Sequence, residues 1–170
     1  SHYWHPYLCR NSFKENSMKH VLLFLLISLT SLHCAKDEEE EGPNQAQIDD
    51  EIIQKYIADN ELDAMNIGSG LYFVNEETGT GENPSPSSKV RVAYRGYFTD
   101  GEVFDESSEA GISFGLNQVI QGWKMGIPFF KEGGRGKLLI PSGLAYGDRP
   151  RSGIPANSVL IFDIHLIEVL

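Results

Sequence analysis

At 170 residues, with 41% apolar side chains, the chain has room for one folded domain of ordinary size and an additional tail. Its 14 Lys and Arg stand against 24 Asp and Glu, a formal net charge of −10, and no basic stripe occurs along it. Nucleic acid is excluded as a partner, because neutralising phosphates needs clustered cations on the protein.

In chain order, residues 1–17 mix His, Tyr, Trp, Pro and Asn without a period and read as an upstream segment outside the native protein, with Met18 as its start. Met18-Lys19-His20 followed by the apolar run Val21 to Leu29 has the build of a secretory leader, so residues 18–33 are expected to be a signal peptide. The run falls short of the roughly 20 apolar residues that a membrane span needs. Cys34 follows it directly and, with Cys9 upstream of Met18, is the single cysteine of the exported protein, so no internal disulfide can form. Its place resembles the lipidated cysteine of bacterial lipoproteins, although His33 stands where that motif has a small residue. The resemblance implies a lipid anchor in the cell envelope, at the outer membrane on its periplasmic or surface side. An ordinary cleaved signal that leaves a free thiol is the alternative.

Residues 34–47 contain Asp37 to Glu41, five consecutive carboxylates that repel one another and resist folding, so they read as an acidic, solvated tether. Lys36 with the acids behind it also resembles the surface-export signal of Bacteroidetes lipoproteins; a plain acidic spacer is the alternative. From Ile48 the pattern turns helical. Ile48, Ile52 and Tyr56, with Ile53 and Ile57 beside them, form an apolar stripe, and Asp49, Asp50 and Glu51 favour a helix N-terminus. An amphipathic helix is therefore expected within 48–67, running to about Ala64. It must dock on its own domain or pair two chains as a homodimer through residues 48–64. Gly68-Ser69-Gly70 then marks the expected boundary of a domain at 69–170.

The rest reads as strands around turns. Leu71 to Glu76 is strand-like, and Val90, Val92 and Tyr94 alternate with Arg91, Ala93 and Arg95. Asp100-Gly101 signals a tight turn before Glu102 to Asp105. Ile112 to Leu116 leads into Val119-Ile120-Gln121-Gly122-Trp123, after which Trp123 to Ile127 can form a short helix before Pro128. Gly133-Gly134 is a turn, Lys137 to Pro141 another strand, and Val159 to Leu170 the last. These elements predict an α+β domain, an antiparallel sheet wrapped around one short helix. Within the Val119 to Trp123 stretch, Gly122 leaves space for something to approach closely, and Trp123 can floor a concave site or fill a core.

Val92-Ala93-Tyr94-Arg95-Gly96, Asp100-Gly101, Val103-Phe104-Asp105, Val119-Ile120-Gln121-Gly122-Trp123, Ala145-Tyr146-Gly147, Ile154-Pro155 and Leu160-Ile161-Phe162-Asp163 stand in order along the chain. Together they resemble the FKBP-type peptidyl-prolyl isomerases, over roughly residues 69–170. The resemblance implies an antiparallel half-barrel of five or six strands curled around a short helix. It also implies catalytic roles for Tyr94, Phe104, Asp105, Tyr146 and Phe162, and substrate contacts from Val119, Ile120, Trp123, Ile112 and Ile154, with Trp123 as the pocket floor. Asp105 is an odd choice for a core position, since a buried acid needs a partner. Ile112 falls where family members often carry an aromatic, and the loop from Asp148 to Gly153 is this chain's own and slightly short.

The activity so implied is rotation about Xaa-Pro bonds of exported proteins, by desolvation and orientation in an apolar pocket. A macrolide such as tacrolimus would fit the same pocket. The chemistry needs no metal or cofactor. The histidines offer no ligand cluster, for all but His165 precede Cys34, and Gly133 to Gly136 lacks the residues of a phosphate loop. The rival reading, from another class, is a module that holds Pro-containing segments with little turnover, as a chaperone or surface adhesin.

Overall fold

Strand β3, Lys89–Tyr97, is the axis of the molecule, because the alternation of Val90 and Val92 with Arg91 and Ala93 gives it an apolar face along its length. It belongs to a computed structural model that describes residues 44–170. The upstream segment, the signal peptide, Cys34 and most of the acidic tether lie outside the described residues. Strand β7, Leu160–Val169, pairs along one edge of β3. Two short strands, β4 (Val103–Glu106) and β5 (Ile112–Gly115), share the other edge end to end. Where they part, Ser107 takes over the ladder: its N–H donates to the Tyr94 carbonyl at 3.0 Å and its Oγ accepts from the Tyr94 N–H at 2.9 Å.

Beyond β7 follow β6 (Arg135–Ile140), β2 (Tyr72–Glu77) and β1 (Ala64–Asn66), so seven antiparallel strands form one open sheet. The expected α+β architecture is present, with more strands than expected because the residues before Gly68 contribute β1. The helix that the sheet curls around is Gln121–Gly126, numbered α2 after the earlier helix described next. Gly122 and Gly126 lie one turn apart on it. A Cβ at Gly122 would stand 2.4 Å from Ile140 Cγ2, and one at Gly126 2.5 Å from Leu138 Cδ2. The close approach foreseen at Gly122 is thus helix against sheet.

Helix α1 spans Gln45–Asp59, earlier at both ends than expected. Asn44 and Gln47 form a capping box, with Asn44 Oδ1 accepting from Gln47 N–H at 3.1 Å and Gln47 Oε1 from Asn44 N–H at 2.9 Å. At the other end Asn60 donates to the Tyr56 carbonyl from both its backbone and its side chain, and Glu61 turns to φ +52°. The stripe is also turned by one residue from the expected one. Ile53 and Asp49 face inward while Ile48 and Ile52 remain 37% exposed.

Alternation along β2, β6 and β7 buries both faces of the sheet. Leu71, Phe73, Leu138, Ile140, Leu160, Phe162 and Ile164 point to the concave side with α2, whereas Tyr72, Val74, Leu139 and Ile161 point to the convex side, where Ile53 packs on them. Gln54 Nε2 donates to Tyr72 Oη at 2.6 Å, and that hydroxyl donates to Asp50 at 2.8 Å. Gly68-Ser69-Gly70 is consequently a hairpin turn between β1 and β2, all three residues at positive φ, and not the domain boundary expected there. Elements on both sides of it belong to one compact unit.

Candidate active site

Helix α2 begins where Ile120 closes its first turn, accepting from the N–H groups of Trp123 and Lys124 at 3.1 Å. With Gly122 and Gly126 seated on β6, Trp123 is turned toward the concave face, and the strands bring four aromatic rings around it. Tyr94 from β3 and Phe162 from β7 meet the indole edge-on at 5.1 and 5.2 Å between centroids. Phe104 from β4 meets Phe162 edge-on at 5.6 Å, and Phe114 from β5 lies against Trp123 at 5.3 Å. Close approach of β3 to these rings depends on Gly96, whose missing Cβ would stand 2.7 Å from the Phe104 ring and 2.8 Å from Phe162.

The rings enclose an open cavity of about 920 Å³. It lies in the size range of small-molecule sites. All ten residues singled out in the sequence line it: Tyr94, Phe104, Asp105, Ile112, Val119, Ile120, Trp123, Tyr146, Ile154 and Phe162. Trp123 is buried at the bottom, and its Nε1–H has no hydrogen-bond partner among the described residues.

The rim is polar at two places. Tyr94 Oη donates to Asp105 Oδ2 at 2.7 Å. Burial first, then the hydrogen bond and charge of Asp105, raise the Tyr94 pKa above its ordinary 10, so the phenol keeps its proton and the carboxylate remains the acceptor. Asp105 itself is exposed, so its partner serves orientation and not the relief of burial. Tyr146 is the second place, held between Ala145 and Gly147, whose N–H groups both donate to the Ser142 carbonyl at 2.9 and 2.8 Å. The Arg151 guanidinium lies 5.4 Å from the centre of the Tyr146 ring. Nothing among the described residues accepts from the N–H of Ile120, which also lines the cavity.

Five lining residues were not foreseen: Phe114, Gln118, Ala145, Arg151 and Ser152. Phe114 had a signal, since it follows Ile112 by two residues and so shares its side of the strand. It supplies the aromatic contact to Trp123 where Ile112, 45% exposed, stands at the edge. Arg151 had none, because it reaches the cavity only through the paired backbone bonds between Arg151 and Ile154, 2.9 and 3.0 Å, that fold the loop back. Among the described residues no group of three or more His, Cys, Asp or Glu side chains could hold a metal ion.

Comparison with known proteins agrees with this geometry. The sequence profile described as FKBP-type peptidyl-prolyl cis-trans isomerase matches residues 80–167. The FKBP-type isomerase FkpA of Buchnera aphidicola (subsp. Acyrthosiphon pisum) is 46% identical over 104 residues, 60% of this chain and 43% of that protein. FkpA of Escherichia coli K12 is 40% identical over 137 residues, 79% of this chain and 50% of that protein. The crystal structure of FkpA from Escherichia coli superposes with a TM-score of 0.64 at 34% identity, over 94% of this chain and 75% of that one. The chain thus spans about half the length of the curated relatives it matches. With the profile running from the loop before β3 into β7, and so through the residues that build the cavity, the chain belongs to the FKBP-type peptidyl-prolyl cis-trans isomerases, a family of enzymes.

Proposed function

We propose that this chain accelerates cis-trans rotation about Xaa-Pro bonds of exported proteins in the cavity floored by Trp123. One observation carries the reading: an aromatic-walled cavity has polar handles among its lining residues, Tyr94 bonded to Asp105 and Tyr146. Rotation faces a barrier of roughly 18 to 20 kcal/mol because resonance gives the C–N bond double-bond character. Water favours the planar, polar amide, so transfer into an apolar cavity favours the twisted and less polar transition state. The proline ring rests on Trp123 between Val119, Phe104 and Phe162, with Ile112 and Ile154 beside the flanking chain. The Ile120 N–H and the Tyr146 hydroxyl donate to peptide carbonyls, and Tyr94 holds Asp105 in place at the rim. Rotation is then the motion left to the bound peptide. The same cavity would accept a macrolide such as tacrolimus. Uncatalysed rotation takes tens to hundreds of seconds and can limit folding, so the activity suits proteins that fold after export.

The setting is part of the same reading. The apolar run before Cys34 and the acidic stretch behind it support a lipid anchor at that cysteine, which would hold the domain at the outer membrane on a solvated tether. Ile48 and Ile52 on the outer side of α1, each 37% exposed, and Met65 on β1, 51% exposed, support a symmetric contact between two chains.

The test is isomerisation of a short Xaa-Pro peptide series by the full chain, beside Asp105→Ala and Tyr146→Phe at matched foldedness. Rate enhancement that falls in both variants is expected. A folded chain that binds the peptides and leaves their exchange at the uncatalysed rate would replace the enzyme by the binding module.

A further inference from the structure

Helix α1 turns one carboxylate inward. Asp49 is 1% exposed, and among the described residues no cation pairs with it. A carboxylate withdrawn from water is tolerated only where donors surround it. Gln45 Nε2 donates to its Oδ1 at 2.7 Å, while Oδ2 accepts both from Ser142 N–H at 2.7 Å and from Ser142 Oγ at 2.6 Å. The last two bonds cross 93 positions of sequence.

Ser142 is also where the cavity wall is anchored. It opens the 3-10 turn Ser142–Leu144 after β6, and its carbonyl accepts from the N–H groups of Ala145 and Gly147, one on each side of Tyr146. A single residue therefore has its N–H and hydroxyl fixed by α1 and its carbonyl fixed to both neighbours of the cavity's tyrosine. Beyond Tyr146 the outgoing chain is held by Arg149 N–H on the Tyr146 carbonyl, 3.3 Å, and by Asn157 N–H on the Gly147 carbonyl, 2.7 Å, where the exposed stretch Asp148–Gly153 begins.

We propose that Asp49 is a positioning residue for Tyr146: through Ser142, helix α1 sets the direction in which the Tyr146 hydroxyl meets the bound peptide. This rests on the isomerase reading above. Asp49 touches neither the cavity nor the substrate, so its effect must pass through the 142–147 turn. A carboxylate is suited to the place, since one of its oxygens accepts the two Ser142 donors together without offering a competing donor of its own.

The experiment is a double-mutant cycle on the full chain, with kcat and KM for a short Xaa-Pro peptide measured in Asp49→Ala, Tyr146→Phe and the pair, foldedness being matched by near-UV circular dichroism. Asp49→Ala is expected to lower kcat/KM about five- to tenfold, the loss of about one oriented hydrogen bond in the transition state. In the Tyr146→Phe background the same change is expected to have little further effect, because the hydroxyl it positions is gone. Asp49→Asn keeps an acceptor oxygen for Ser142 and is expected to restore most of the activity. Ser142→Ala removes one of the two donors and repeats the cycle at smaller amplitude, which decides the matter should Asp49→Ala fail to fold. Equal losses in both backgrounds, or wild-type kcat/KM in a folded Asp49→Ala, would overturn the inference and leave the isomerase reading standing. A wild-type chain without rate enhancement would overturn both.

Discussion

Strand β3 meets the aromatic rings of the cavity closely at Gly96, and a methyl group there tests how those walls are held. Gly96 faces Phe162 across the β3–β7 pairing and Asp105 across β3–β4. A Cβ would lie 2.7 Å from two Phe104 ring carbons and 2.8 Å from Phe162 Cε1, where carbon atoms rest about 3.5 to 4 Å apart. Both contacts must lengthen by about 1 Å, by movement of the rings or of the strand. Phe162 has little room, since Trp123 stands edge-on to it at 5.2 Å, so β3 is pushed back from it, whereas Phe104 has the open cavity before it and gives way there. Such overpacking costs about 1–3 kcal/mol, and replacing Gly with Ala returns up to about 1 kcal/mol by restricting the unfolded chain, so Gly96→Ala is expected to destabilise by about 1–2 kcal/mol. Chemical denaturation reads that term. Displacement of Phe104 into the cavity should also raise KM for an Xaa-Pro peptide with little change in kcat. Gly143→Ala, where nothing stands within 4 Å of the added carbon, is the reference and should stay within about 0.5 kcal/mol in stability. A Gly96→Ala protein as stable as wild type, with an unchanged KM, would refute the packing argument.

Two further predictions concern the wall and the sheet. Phe114→Ala is expected to lower kcat/KM about fivefold through loss of the ring against Trp123, whereas Ile112→Ala at the exposed edge should change it less than about twofold; the reverse order in peptide kinetics would return the aromatic wall position to Ile112. Burial first, then the Arg135 charge, hold the His165 pKa below its ordinary 6.5 against an upward pull from Glu77. The folded chain then binds fewer protons than the unfolded one just below pH 6.5, so the contribution is intact above that pH and is lost as pH falls through the folded-state value. His165→Gln should flatten this part of the stability curve, measured as denaturation midpoints at pH 7.5 and 5; identical pH dependence in both proteins would refute it.

The strands of the concave face were legible because period-two alternation and turn residues mark them locally, as at Val90 to Tyr94 and at Asp100-Gly101. The cavity residues were legible for a different reason, since short strings such as Val119 to Trp123 and Ala145 to Gly147 recur in a known family. Helix α1 was legible in kind and misplaced in detail. Its inward stripe contains Asp49, and periodicity alone places a carboxylate on the outer face. What turns it inward is a pair of donors 93 positions away, which no local pattern can show. The hairpin at Gly68-Ser69-Gly70 failed similarly, because three turn formers together mark a reversal of the chain and a boundary equally well.

Those two misplacements have one physical origin. A sheet whose strands alternate Leu71, Phe73 with Tyr72, Val74, and Leu138, Ile140 with Leu139, is apolar on both faces, and the concave helix α2 covers only one of them. The other face has to be covered, and α1, joined to the sheet through the edge strand β1, is the segment that covers it, Ile53 lying on Tyr72, Val74, Leu139 and Ile161. Once α1 is there as a structural layer, its N-terminal half passes the end of β6, where the chain turns from sheet into cavity wall at Ser142. The contact between Asp49 and Ser142 is therefore placed by the need to bury the convex face. The wall that carries Tyr146 is thereby tied to a helix whose packing surface lies on the opposite side of the sheet from the cavity.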